Sequence, residues 1–246
     1  MNPSVAQMLK RVIDVVYPPR CMACPNLTDE ASGLCRNCWG DTTFFAGAVC
    51  DKCGISIPTA GIANAALCER CNSRPPVWDR GRAAVAYEGA GRRLVLALKH
   101  GDRLDTAPAM AKWMAEAGCD ILSNNSLIVP VPLHWRRLLL RKYNQASELA
   151  KGIADITGAS LALDALHRNK ATKSLKGLKK EARLRELDHA ISPNPKCVDA
   201  LDGAHIVLID DVMTTGATLS GATDACNRSG AKQVDVLVFA RVSFTE

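Results

Sequence analysis

Residues 206–219 read I-V-L-I-D-D-V-M-T-T-G-A-T-L. An apolar strand pattern ends in two acids, and a Thr/Gly turn then opens a helical pattern over 218–229 that stops at Gly230. A strand passing through a polar turn into a helix is the repeating unit of a parallel sheet covered by helices. Such sheets bind ligands outside the carboxyl ends of their strands. The turn Thr214-Thr215-Gly216-Ala217-Thr218 offers successive backbone N–H groups and three hydroxyls at a helix start, which suits a phosphate. Gly216 lets the backbone turn tightly against the anion. A purely anionic site has no use for Asp210 and Asp211. Those carboxylates suit sugar hydroxyls or a hydrated magnesium ion. The stretch is not a P-loop, since no G-x-x-x-x-G-K-[ST] occurs, and no G-x-G-x-x-G follows a strand.

Outward from this stretch the alternation recurs. A-A-V-A-Y (83–87), S-L-I-V-P-V-P (126–132) and Q-V-D-V-L-V-F-A (233–240) read as strands, and 91–100, 108–116 and 144–157 as helices. Ala146, Leu149, Ala150 and Ile153 form the inner face of the 144–157 helix, and Gly158 ends it. Residues 168–188 read as a basic, partly helical segment. Apolar residues make up 48% of the chain but aromatics only 4%, so the core is built from Ala, Val, Leu and Ile. Buried parallel strands call for that composition. The expected fold class is α/β: a parallel sheet with flanking helices.

Upstream of a linker-like P-P-V-W-D (75–79) the chemistry changes. Eight of the eleven cysteines form four C-x-x-C pairs: Cys21/Cys24, Cys35/Cys38, Cys50/Cys53 and Cys68/Cys71. Each pair puts two sulfurs on one side of a tight turn, and repeated pairs at this spacing read as zinc ligands. Eight ligands imply two closed, structural sites. Sequential pairing is simplest, and a cross-braced arrangement satisfies the same spacing. A segment this small and polar needs its metals to fold. Ahead of it, Val5, Met8, Leu9, Val12, Ile13 and Val16 recur at helical spacing. The chain therefore divides into an N-terminal helix with a double zinc-ribbon module (1–78) and an α/β domain (79–246). The larger domain is expected to fold and bind its ligand without the first. Cys119, Cys197 and Cys226 are isolated and read as buried thiols.

Residues 1–80 hold 8 Lys/Arg against 7 Asp/Glu, whereas 134–185 hold 13 against 4. This positive field suits polyanions: a diphosphate, or single-stranded nucleic acid with Trp135 and Tyr143 nearby for stacking. No signal peptide and no run of membrane-spanning length is read, so a cytoplasmic location is expected. Peripheral membrane contact through 4–17 is the weaker alternative.

The D-D-V-M-T-T-G-A-T-L stretch resembles the phosphoribosyl-diphosphate (PRPP) motif of type I phosphoribosyltransferases. Along nearly its whole length the chain resembles the ComF family of competence-associated proteins. The matching features are Y-P-P-R-C-M-A-C (17–24), the later Cys pairs, Y-E-G-A-G-R-R-L (87–94), L-K-H-G (98–101), V-P-V-P-L-H-W-R-R (129–137) and Y-N-Q-A (143–146). The resemblance implies that Asp210 and Asp211 contact the ribose hydroxyls as the catalytic acid pair. It further implies that Thr214, Thr215, Gly216, Ala217 and Thr218 hold the 5′-phosphate. Val131, Pro132 and Leu133 resemble the pyrophosphate loop, with Arg136, Arg137 and Lys99 as its cations and magnesium accompanying PRPP. Arg168, Lys170, Thr172, Gly177, Leu178 and Arg183 fit a flexible hood, from which Leu175 and Glu186 depart. The function implied is a PRPP-binding accessory factor in DNA uptake that contacts single-stranded DNA and other competence proteins. The alternative is a phosphoribosyltransferase acting on a nitrogen base.

Overall fold

The computed structural model describes residues 18–28, 32–57, 67–100, 103–133, 143–168 and 190–242. The N-terminal helix reading (4–17) and most of the hood segment lie outside them. The elements in chain order begin with short helices α1 (Arg36–Gly40) and α2 (Glu69–Ser73) in the Cys-rich module. They continue with β1 (Gly81–Ala86), α3 (Gly89–His100), α4 (Ala107–Ala117), β2 (Leu127–Pro130), α5 (Gln145–Thr157), β3 (Ser160–Leu161), β4 (Leu166–Arg168) and β5 (Ile191–Pro193). The chain closes with α6 (Val198–Leu201), β6 (His205–Met213), α7 (Ala217–Arg228) and β7 (Gln233–Arg241). Five strands form one parallel sheet in the order β1-β7-β6-β2-β3. β4 and β5 form a separate antiparallel pair, which the sequence reading did not separate from its surroundings.

The sheet is buried on both faces, as the continuous apolar runs require. On β6, Val207 and Ile209 join one cluster with Leu94, Leu98, Met110, Met114, Leu149 and Ile153 from α3, α4 and α5. Ile206 and Leu208 point the other way, to Leu219, Ala222 and Cys226 of α7. Each such fully buried aliphatic side chain contributes about 1.5–3 kcal/mol of transfer free energy. Helices flank both faces, as expected.

Two details depart from the sequence reading. β6 runs past Asp210 to Met213, because its ladder with β7 continues through Asp210↔Val238, Val212↔Ala240 and Met213↔Arg241. The acid pair therefore sits inside the last turn of pleat rather than after it. The second departure is at 75–79, which is not a free linker. Trp78 is only 3% exposed. Asp79 N–H donates to the Val234 carbonyl (2.8 Å), and Val234 N–H donates to Asp79 Oδ2 (2.8 Å).

The Cys-rich module is built into this sheet. Cys50, Cys53 and Cys71 share the cluster of Val129, Leu208, Val236 and Val238, so the second ribbon covers part of the face that α7 leaves open. Residues 43–45 close the outer edge of β1: Phe45 N–H donates to the Ala84 carbonyl (3.0 Å), and Ala86 N–H to that of Thr43 (2.9 Å). Arg82, buried, ties Asp51 of the module (2.8 Å) to Asp120 beyond α4 (2.6 Å).

Candidate functional site

Strand order places a switch point between β2 and β6. The chain leaves β2 toward β3 on one side and leaves β6 toward β7 on the other, so their carboxyl-end loops diverge and open a crevice. That crevice is a cleft of ≈ 160 Å³ lined by Lys99, Val131, Pro132, Leu133, Asn144, Gln145, Arg168, Asp210, Asp211 and Thr218 among others. A smaller recess of ≈ 40 Å³ adjoins it within the turn itself, between Asp210 and Thr214–Leu219. Lys99, 131–133, the acid pair and the Thr/Gly turn thus converge on one place from three parts of the chain. Arg136 and Arg137 lie outside the described residues.

Each group is held by a local device. Val131 N–H continues the ladder to the Ile209 carbonyl (2.9 Å), which fixes the 131–133 loop beside the acids. Asn144 caps α5 by accepting from Ala146 N–H (3.1 Å), and its amide nitrogen donates to the Val131 carbonyl (3.0 Å). The sequence reading treated Asn144 as a helix-start group; it is that, and it also braces the loop. Lys99, near the end of α3, reaches Asp211 Oδ1 with its Nζ at 2.9 Å. Its position at a helix terminus and its place in the cleft coincide. Gly216 has φ +83° and is the N-cap of α7. Arg241, only 3% exposed, backs the turn by donating to the carbonyls of Met213 (3.2 Å) and Thr214 (2.7 Å). Arg168, at the end of β4, brings one basic residue of the hood reading into the cleft.

The acid pair is electrostatically uneven. Asp210 accepts the Asp211 backbone N–H (2.8 Å). Burial, with the adjacent Asp211 charge, pushes the Asp210 carboxyl up to about 7, while Lys99 and Arg168 pull it back. The folded state thus binds a proton that the unfolded chain releases at ordinary carboxylate pH. Asp210 costs stability as pH rises from about 4 toward about 7. Asp210→Asn, which keeps an acceptor for Asp211 N–H, should raise stability at pH 8 by on the order of 1–3 kcal/mol. The gain should shrink toward zero below about pH 4. Thermal melts of the two proteins at several pH values check this; a pH-independent difference would contradict it.

The cysteines gather into two sequential groups, Cys21/Cys24/Cys35/Cys38 and Cys50/Cys53/Cys68/Cys71, each with its sulfurs within 4.8 Å of one another. Cys24 and Cys35 Sγ are 3.6 Å apart, and Cys53 and Cys68 Sγ 3.7 Å. A tetrahedron with Zn–S near 2.3 Å has edges of about 3.8 Å, so both groups fit zinc. Backbone N–H groups of Cys35 and Cys68 donate to Cys21 and Cys50 Sγ (both 3.3 Å), as thiolate ligands require. Arg93 reaches Cys38 Sγ (3.5 Å) and Asp41 (2.8 Å), offsetting thiolate charge at the first group. Of the isolated cysteines, Cys226 is buried as read, Cys197 is partly buried and Cys119 is exposed. Among the described residues no helix is long and apolar enough to cross a membrane.

Among solved structures, glutamine PRPP amidotransferase from B. subtilis is 17% identical, with 58% of this chain and 30% of that chain covered and a TM-score of 0.40. Residues 12–77 match the double zinc ribbon domain family. The DNA utilization protein YhgH of Salmonella typhimurium is 29% identical over 228 residues, spanning 85% of this chain and 97% of that protein. The YhgH of Escherichia coli K12 is 27% identical over 214 residues, spanning 85% and 90%. Competence protein F of Haemophilus influenzae is 26% identical over 228 residues, spanning 90% and 96%. The chain is therefore a double zinc ribbon joined to an α/β domain, related along most of its length to the YhgH proteins and to competence protein F, whose family its motifs resemble.

Proposed function

We propose that this protein binds PRPP in the crevice between β2 and β6 and acts as an accessory factor in DNA uptake, in contact with single-stranded DNA. The observation that carries the ligand half is the convergence of Lys99, 131–133, Asp210/Asp211 and the Thr214–Thr218 turn on one cleft. Three chemically distinct parts of PRPP then have three matching surfaces. The 5′-phosphate takes the backbone amides and hydroxyls of the turn. The ribose hydroxyls donate to Asp210 and Asp211. The diphosphate lies along 131–133 with Lys99 as a point charge, and Arg136 and Arg137 follow in the chain. Magnesium arriving with the diphosphate supplies countercharge, and the same two carboxylates suit its water shell. The names of the relatives, DNA utilization and competence, support the DNA half.

Calorimetry of the full chain with PRPP and magnesium tests the ligand. A pyrophosphate-release screen against nucleobases then separates a binder from a transferase. Absence of PRPP heat in the metal-replete protein would overturn the ligand assignment.

The DNA contact has its own test. The basic stretch 134–185 carries the charge. Within it, Tyr143 donates its hydroxyl to the Leu98 carbonyl (2.7 Å), which leaves its ring fixed on α3 beside the cleft. Binding of a fluorescent oligonucleotide should weaken steeply with salt, about tenfold or more between 50 and 200 mM for a handful of phosphate contacts. Binding that is flat in salt, or absent at low salt, would assign the stretch to small phosphates alone.

A further inference from the structure

The back of the phosphate turn rests on a residue from outside the α/β domain. Trp78 lies at the junction of ribbon and sheet, and the outer edge of its indole faces Gly216. A Cβ on Gly216 would stand 2.7 Å from Trp78 Cη2 and 3.4 Å from Cζ3. The opposite end of the same ring is clamped to the second cysteine group. Trp78 Nε1–H donates to the Lys52 carbonyl (2.6 Å), and Lys52 Nζ donates to the Trp78 carbonyl (2.9 Å). Lys52 is one of the two residues between Cys50 and Cys53, inside the C-x-x-C knuckle. Gly81 admits this clamp, since a side chain there would meet the Lys52 carbonyl at 2.4 Å. One rigid ring thus spans from a cysteine knuckle to the turn, while Arg241 braces the turn from β7.

We propose that Trp78, held by Lys52, is a positioning residue for the phosphate turn, so that the second cysteine knuckle sets the geometry of the ligand site. The inference rests on the PRPP reading of that turn and deepens it. The physical argument is preorganisation. The amides of 214–218 bind an anion well only if they converge before it arrives, and a turn containing a glycine loses conformational freedom when it is fixed. The edge of a rigid indole at its back and a guanidinium on its carbonyls bear that cost in the folded protein. The larger domain is then not self-sufficient for binding, contrary to the expectation that it keeps full affinity without the ribbons.

Trp78→Phe is the discriminating variant. Phenylalanine keeps most of the apolar burial but lacks both Nε1–H and the outer ring edge that meets Gly216. Measured in the full chain, it should retain two zinc ions and a cooperative melt while PRPP affinity falls roughly tenfold or more. Lys52→Met, which touches only the clamp, should weaken PRPP in the same direction and by less. A spectroscopic readout separates positioning from mere packing. With 5-fluorotryptophan incorporated, the fluorine resonance missing in Trp78→Phe identifies residue 78, and in the unsubstituted protein it should shift on PRPP addition. Unchanged affinity in Trp78→Phe, or a residue-78 resonance unmoved at saturating PRPP, would overturn the proposal. If the unsubstituted protein gives no PRPP heat, the ligand reading itself fails, and the role of Trp78 fails with it.

Discussion

Replacing both carboxylates of the crevice, Asp210→Asn with Asp211→Asn, should lower PRPP affinity by roughly a hundred- to ten-thousandfold. The range follows from losing two charged acceptors at about 1.5–3 kcal/mol each. The fold should tolerate the change. Asp210 sheds a carboxylate that burial already disfavours, and Asp211 loses only its pairing with Lys99. The freed Lys99 ammonium can turn to the diphosphate, so the loss should be larger for ribose 5-phosphate than for PRPP. Isothermal titration with both ligands, alongside a thermal melt, measures this. A well-folded double variant that binds PRPP as tightly as the parent would remove the acids from the site.

The second large effect concerns the metals, and here the two cysteine groups should differ. Cys50 and Cys53 are 0% and 3% exposed within the cluster that packs on the sheet. The first group packs in a small separate cluster with Ala90 of α3. Cys21→Ser and Cys50→Ser should each leave about one zinc ion per chain, since a broken tetrahedral site loses most of its affinity. Cys50→Ser should also uncover Val236, Val238 and Leu208, and lower the melting temperature by on the order of 10 °C, about twice the effect of Cys21→Ser. Metal analysis and melts check both statements. Loss of both ions on either substitution would indicate one cooperative metal unit instead of two.

Much of this architecture was legible because local pattern and fold agree. The I-V-L-I run, the stop at Gly230 and the inner face Ala146/Leu149/Ala150/Ile153 each have one structural solution, and the structure adopts it. The C-x-x-C spacing defined the ligand sets but left their pairing open; the backbone path resolves it as sequential. What stayed illegible depends on contacts between distant segments. Trp78 read as linker because nothing in P-P-V-W-D announces that Gly216 lies at the edge of its ring. Arg241 lies one residue past the 233–240 strand reading, which gave no sign that its guanidinium serves a turn 27 residues earlier. The reach of β6 through Asp211 was hidden because two acids normally end a buried strand, and only the β7 ladder keeps them in register. The partner of Lys99 was hidden for a related reason: a lysine at a helix end satisfies the dipole whether or not it meets a carboxylate such as Asp211.

The position of β1 has a consequence for synthesis. It is an outer strand whose sheet partner, β7, is the last strand among the described residues; Arg80 at its base bonds to Asp235, 155 residues later. During translation β1 therefore emerges long before β7 can pair with it, and exposed strand edges invite association between chains. The ribbon module emerges first, and its residues 43–45 are the segment that covers the outer edge of β1. Zinc captured by the nascent chain would thus shield that edge while the rest is being made. In zinc-starved cells the protein should partition into aggregates in proportion to its rate of synthesis, even where the finished, metal-loaded molecule is stable.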